Sequence, residues 1–159
     1  MALFEPITDR REASTQLIWF GAWVGVTSFA IYLSPSHAGH GTHEQLGLPP
    51  CPSVLMFDRP CPGCGLTTSW TAFVHGDWGL AFHAHPLGPV LYMLFTIGAI
   101  AGFGAWVRGN RLDLSAPWIQ KGTTILLFIF VAFGLIRMLV SPGISTPQEK
   151  LVRSAIIAH

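Results

Sequence analysis

Three long apolar runs set the architecture of the chain. The first, Leu17–Leu33, reads LIWFGAWVGVTSFAIYL without a charge. Extended back to Ala13 it reaches about 20 residues, the length at which a helix crosses a ~30 Å hydrocarbon core. The second, Pro86–Val107, reads PLGPVLYMLFTIGAIAGFGAWV. Pro86 and Pro89 fall in its first turn, where a missing N–H costs a helix little. The third, Thr123–Val140, is the apolar body of a helix predicted over residues 119–140, with Ser141-Pro142-Gly143 as its stop. Between the first two runs lies a polar loop of residues 34–85. Its pattern turns helical after Gly65, where Leu66, Trp70, Phe73 and Val74 share one face. Gly76 then reads as a C-terminal stop, and Asp77 as the cap of a second short helix through Trp78, Leu80, Ala81 and Phe82. Both pieces are too short to span, so they are expected at the interface or re-entrant, with Trp70 and Trp78 at headgroup level. Thr67 or Thr68 is the expected cap of the first.

Composition sharpens this into a membrane protein. Of the 159 residues, 50% are hydrophobic and 11% charged, and the mean hydropathy is +0.48. A soluble domain carries about 25% charged residues. The length suits one domain, here an all-α membrane protein with spans at about 13–33, 86–107 and 119–140 and a short, partly ordered polar tail over 141–159. A signal peptide is the alternative for the first run, since Ser36-His37-Ala38 resembles a cleavage site; the run is long for a signal, which favours a retained span. The net charge of +1 offers no basic field for nucleic acid. Arg10 and Arg11 precede the first span, and Arg108, Arg111 and Lys121 flank the second loop, whereas the long loop holds only Arg59. The N-terminus is then expected to be cytoplasmic, and loop 34–85 and the C-terminus external, although Lys150 and Arg153 in the tail count against this. Gly21 with Gly25, and Gly98 with Gly102, form two small-xxx-small stripes where spans are expected to meet. Arg137, an intramembrane charge near a helix end, is expected to snorkel or to pair with Asp77, a lipid phosphate or a partner.

The chemistry concentrates in the long loop. Cys51, Cys61 and Cys64 are there, with every histidine but His159. Cys61 and Cys64 have the spacing that brings two sulfurs to one ion, and Cys51 and His43 would complete a thiolate–imidazole set suited to zinc or copper. One such pair is half a site, and the sequence CPGCG is not a haem-attachment motif. A second reading is thiol–disulfide exchange, with a Cys61–Cys64 bridge at a pKa-lowering helix end and Cys51 as resolving thiol. The third is structural: Pro62 and Gly63 make a turn, Gly65 permits close packing, and the cysteines are small buried residues or a structural disulfide. His37, His40 and His43, interleaved with Gly39 and Gly41, read as a flexible polar loop, and His83 and His85 as wetted interfacial side chains. Glu44, Asp58 and Asp77 form no pair spaced for acid–base work.

Cys51-Pro52, Pro60-Cys61-Pro62-Gly63-Cys64-Gly65-Leu66-Thr67, Gly76-Asp77 and Pro86-Leu87-Gly88 together resemble a family of small bacterial integral membrane proteins of unknown function, marked by a Cys-Pro-x-Cys-Gly-x-Thr signature. The resemblance runs over Leu46–Val140 and includes Arg137. His85 stands where that family has Asn, and His75 where Arg is common. The resemblance implies a bacterial inner-membrane location and no reaction. The function expected is therefore non-enzymatic: a scaffold or accessory subunit that meets lipid and packs against a membrane-protein partner or its own copies.

Overall fold

The computed structural model describes residues 4–7, 10–141 and 143–157. Pro142 of the expected stop lies outside them, as do the side chains of Arg10, Arg11, Ala13 and Arg153. The described chain is mostly helical. In order it runs through β1 (Phe4–Pro6), α1 (Arg10–Tyr32), a 3-10 turn (Thr42–Leu46), α2 (Pro52–Phe57), α3 (Leu66–Val74) and α4 (Trp78–Ala84). Then follow α5 (Gly88–Val107), β2 (Asn110–Leu112), α6 (Pro117–Val140) and α7 (Pro147–Ile157).

Among the described residues, α5 and α6 are the helices long and apolar enough to cross a membrane. The boundaries expected from hydropathy hold to within a few residues, because proline marks both starts: Pro89 and Pro117 each sit in the first turn. α1 covers the first apolar run and packs antiparallel on α5. Phe20 stacks on Phe103 with ring centroids 4.2 Å apart, and Trp19 meets Phe95 edge-on at 5.8 Å. Trp23 Nε1 donates to Thr96 Oγ1 (2.9 Å), and the Thr27 and Tyr92 hydroxyls are 2.9 Å apart. The buried Gln16 amide, oriented to satisfy both its atoms, donates to Gly102 O and accepts from Leu112 N (2.6 Å each).

The glycine stripes do not mediate this contact. A Cβ at Gly21, Gly25 or Gly98 would meet nothing within 4 Å, and one at Gly102 would meet the Gln16 side chain at 3.8 Å. Aromatic rings and hydroxyls hold α1 to α5 instead.

Two ends of the molecule are each tied together. At one end β1 pairs antiparallel with β2, Phe4 opposite Leu112. Phe4–Pro6 therefore sit beside the α5–α6 connection. At the other end the 34–85 loop meets the C-terminal segment. Asp58 accepts from Ser145 N (2.9 Å) and its carbonyl from Ile144 N (3.4 Å). Arg59 Nη1 donates to Met138 O (3.0 Å) and Leu139 O (2.5 Å), carbonyls that the end of α6 leaves without helical partners.

The tail is more ordered than its polarity suggested. Thr146 and Glu149 form a reciprocal cap on α7: Thr146 N donates to Glu149 Oε2 (2.5 Å), and Glu149 N to Thr146 Oγ1 (3.3 Å). This T-x-x-E pattern, with Pro147 at the first helical position, was readable in the sequence.

Candidate functional site

The cysteine motif is a turn that leads into α3. Cys64 N donates to Cys61 O (2.9 Å), and Leu66 N to Gly63 O (3.1 Å). Gly65 then takes a left-handed conformation, φ +84, and is itself the N-cap of α3. The capping role expected of Thr67 or Thr68 thus falls to glycine. Thr68 is buried and shares a 2.8 Å hydrogen bond with the Thr42 hydroxyl, fixing α3 to the 3-10 turn. Further on, the sequence signals hold: Gly76 has φ +80 and stops α3, and the Asp77 carboxylate accepts from Leu80 N (3.0 Å) at the start of α4.

Pro62 and Cys64 of the turn are both engaged by neighbours. Arg137 Nη1 donates to Cys64 O (3.0 Å). The guanidinium therefore points into the fold, toward an acceptor that the turn leaves open, rather than snorkelling or reaching Asp77. Pro62 packs directly on the backbone of Gly134, the buried residue of α6. Pro62 O lies 3.1 Å from His85 Nε2. His85 is fully buried, stacks on Phe130 at 5.5 Å and meets Phe133 edge-on at 5.6 Å. It is not the wetted side chain expected. Burial lowers its pKa, the Pro62 carbonyl opposes this, and Arg137 adds to the lowering. His83, by contrast, is exposed. Trp70 is drawn inward too, its Nε1 donating to Gly88 O (2.9 Å), while Trp78 stays exposed.

Behind the turn lies a cavity of about 300 Å³. Cys51, Cys61, Cys64 and His43 all line it, with His40, Glu44, Thr67 and Thr68. The sequence-predicted ligand residues are thus brought to one wall. Among the described residues, however, no three His, Cys, Asp or Glu side chains stand in an arrangement that could hold a metal ion. His37 is exposed and outside the cavity. His40 is not part of a flexible loop: it is 5% exposed, its Nδ1 3.1 Å from Ala38 O and its Nε2 3.2 Å from Glu149 Oε2 on α7. That link across 109 residues had no sequence signal beyond the cap on α7.

The thiols are unbridged, and Cys61 and Cys64 are unactivated. All three cysteines are unbridged, Cys64 buried and the other two half-buried. Burial pushes the Cys64 thiol up to about 12, with Cys61 and Cys51 adding to the rise and Arg137 only partly opposing it. The Cys61 pKa is raised as well, by burial first and then by the neighbouring Cys51 thiol. The helix end does not produce the lowered pKa that an exchange centre needs, because desolvation outweighs it. Alkylation of Cys64 by iodoacetamide at pH 7.5 should therefore be at least about a hundredfold slower than that of a free thiol, and should accelerate as pH rises past 9. Labelling of Cys61 or Cys64 at the free-thiol rate near neutrality would mark an activated centre and overturn this description.

Residues 51–99 match one family model, described as a protein of unknown function (DUF2752). The match begins at the first cysteine and ends within α5. It is narrower than the Leu46–Val140 reach of the sequence resemblance, and it contains the motif turn, α3 and α4 but not Gly134 or Arg137. Of the residues that line the cavity, Cys51 to Thr68 lie in the matched segment, whereas His40, Gly41, His43, Glu44 and Pro49 precede it. No curated protein and no solved structure matches the chain.

Proposed function

We propose that this chain is a three-span integral membrane protein acting as a non-catalytic scaffold or accessory subunit, its cysteine turn serving as the structural joint that seats α6. One observation carries the reading: the motif turn is tied into the fold through Pro62 and Cys64, while α6 is left almost bare. Cys64 O, Pro62 and Pro62 O are engaged by Arg137, Gly134 and His85. Along α6, in contrast, Gly134 is the buried residue, and Ile125, Phe128, Ile136 and Leu139 are all exposed. A helix this apolar and uncovered needs lipid or other helices around it.

The third span is α1. It starts at the β1–β2 end and finishes at the motif end, antiparallel to α5. Any layer that α5 crosses, α1 crosses also. The basic residues of the β1–β2 end favour the cytoplasmic side for it, which puts the cysteine loop and the C-terminal helix outside, at a bacterial inner membrane.

Single cysteines placed at the exposed Ser115 and Thr67 in a background lacking the native thiols test the topology. In spheroplasts an impermeant maleimide should label Thr67→Cys and spare Ser115→Cys. Purification in mild detergent tests the role. A stoichiometric helical partner, or a defined homo-oligomer, is expected; a strictly monomeric protein at every detergent concentration rules the scaffold out.

A further inference from the structure

The chain between the first two cysteines folds back on itself. Cys51 is the N-cap of α2, and Asp58 closes that helix in a left-handed conformation, φ +55. Across the reversal, Ser53 Oγ donates to Arg59 O (3.0 Å). Cys61 is thereby carried back to the start of α2, where its thiol is in side-chain contact with that of Cys51. Both thiols are half-buried and unbridged, on the wall of the cavity of about 300 Å³. Cys64, the partner that the CPGC spacing suggests, is buried, and Cys61 acts on it through charge.

We propose that Cys51 and Cys61 are an oxidation site, joined as a disulfide in an oxidising compartment, and that Cys64 stays a thiol. Adjacency selects the pair. A disulfide needs sulfurs about 2 Å apart on Cβ atoms roughly 4 Å apart, so thiols already in contact close one with the least movement. The CPGC turn, by contrast, is committed: Cys64 N donates to Cys61 O, and Cys64 O accepts from Arg137. The oxidant is a disulfide of a small molecule or of a protein. One cysteine thiolate attacks it, forming a mixed disulfide and releasing one donor thiol. The second cysteine, its proton passed to solvent, attacks the first sulfur and releases the other. Two S–H bonds are lost, one S–S bond forms, and the donor is reduced to two thiols. Burial raises the Cys61 pKa, and a thiol that leaves slowly makes the bridge slow to reopen. That suits a lasting cross-link rather than an electron relay. The consequence is mechanical. The bridge closes a ring around α2 that carries Asp58 and Arg59, which hold Ile144, Ser145 and the last carbonyls of α6. Oxidation thus locks the clamp on the end of α6. Disulfides persist outside the cytoplasm, so the bridge in cells rests on the external placement of loop 34–85, whereas the pairing does not.

The test treats the full chain, purified in mild detergent, with excess oxidised glutathione and traps the product in acid. Free thiols are alkylated in the unfolded chain, and cleavage before Asp58 then separates Cys51 from Cys61 for mass spectrometry. Cys51 and Cys61 should be linked in the wild type and in Cys64→Ala, with Cys64 of the wild type alkylated. The linked form should melt roughly 5–10 °C above the reduced one, because the bridge removes loop entropy from the unfolded chain. Cys51→Ala should abolish that difference. A link from Cys64 to either neighbour, a lasting glutathione adduct, or three alkylated thiols would each overturn the proposal. Cells that express the full chain are trapped in acid in the same way. A Cys51–Cys61 bridge there supports both the pairing and the external loop. A reduced pair in cells, with the bridge formed in detergent, upholds the pairing and refutes the external placement.

Discussion

Gly65→Ala should be the most damaging single-methyl substitution in the chain, lowering the thermal midpoint in detergent by on the order of 10 °C. Two independent costs combine. Gly65 has φ +84, and an L-residue in the left-handed region costs about 1–2 kcal/mol. Its Cβ would also sit 2.7 Å from Gly39 O and closer still to Ala84 O. Both are backbone atoms that cannot rotate away, and such overpacking costs about 1–3 kcal/mol. The sum, roughly 2–5 kcal/mol, converts at about 2–4 °C per kcal/mol for a domain of this size. Gly21→Ala makes the control. It has open space around it and a helical backbone, so it should be neutral or slightly stabilising, as alanine is the better helix former by about 1 kcal/mol. If the two variants melted together, the packing of the motif turn against α4 would be wrong, and with it the account of the signature as a joint.

The contrast between these glycines shows where the sequence was informative. Local signals were legible: the apolar runs of α5 and α6, the prolines that open them, Gly76 as a stop and Asp77 as a cap. Each depends on a few adjacent residues and on hydropathy at one period. The glycines of the stripes and the glycine of the motif look alike in one dimension. Gly65, Gly88 and Gly134 turn out to have a backbone or side chain pressed against them, whereas Gly21, Gly25 and Gly98 have open space. That distinction arises from pairings between residues far apart in the chain, such as Pro62 on Gly134, and no local pattern encodes them. The same applies to Arg137. Its position near a helix end suggested an outward reach to the interface, yet an unpaired carbonyl at Cys64 drew it inward. The cavity was half legible. Co-located cysteines and histidines announced a common site, but not that burial would raise the Cys61 and Cys64 pKa values and commit the His40 ring to α7. The three-residue β1–β2 ladder was too short to leave any trace of strand periodicity.

Docking of α7 should be lost on acidification. Burial works to raise the Glu149 carboxyl pKa, but hydrogen bonds from the Thr146 amide and hydroxyl and from His40 outweigh it, so the folded value lies below the ordinary one. A carboxyl depressed in the folded state contributes stability that is fully present above its unfolded pKa and disappears as pH falls through the folded one. The ordinary value is 4.5, so docking should be constant from neutrality down to about that pH and fail below it. A fluorophore on Ser154→Cys, in a background without the native thiols, reports this as a fall in anisotropy. Glu149→Ala should release the helix even at pH 7. It removes the reciprocal cap, worth about 1 kcal/mol, and the bonds to a charged acceptor, worth about 1.5–3 kcal/mol. The total of about 3 kcal/mol exceeds what an eleven-residue helix can supply alone in water, since isolated helices under about 12 residues are marginal. His40→Ala should weaken docking less, because the contacts from Thr146 survive it. An anisotropy that ignored both pH and Glu149→Ala would mean that α7 is held by its contacts with α2 instead, and that the buried carboxylate is incidental to the closed end of the molecule.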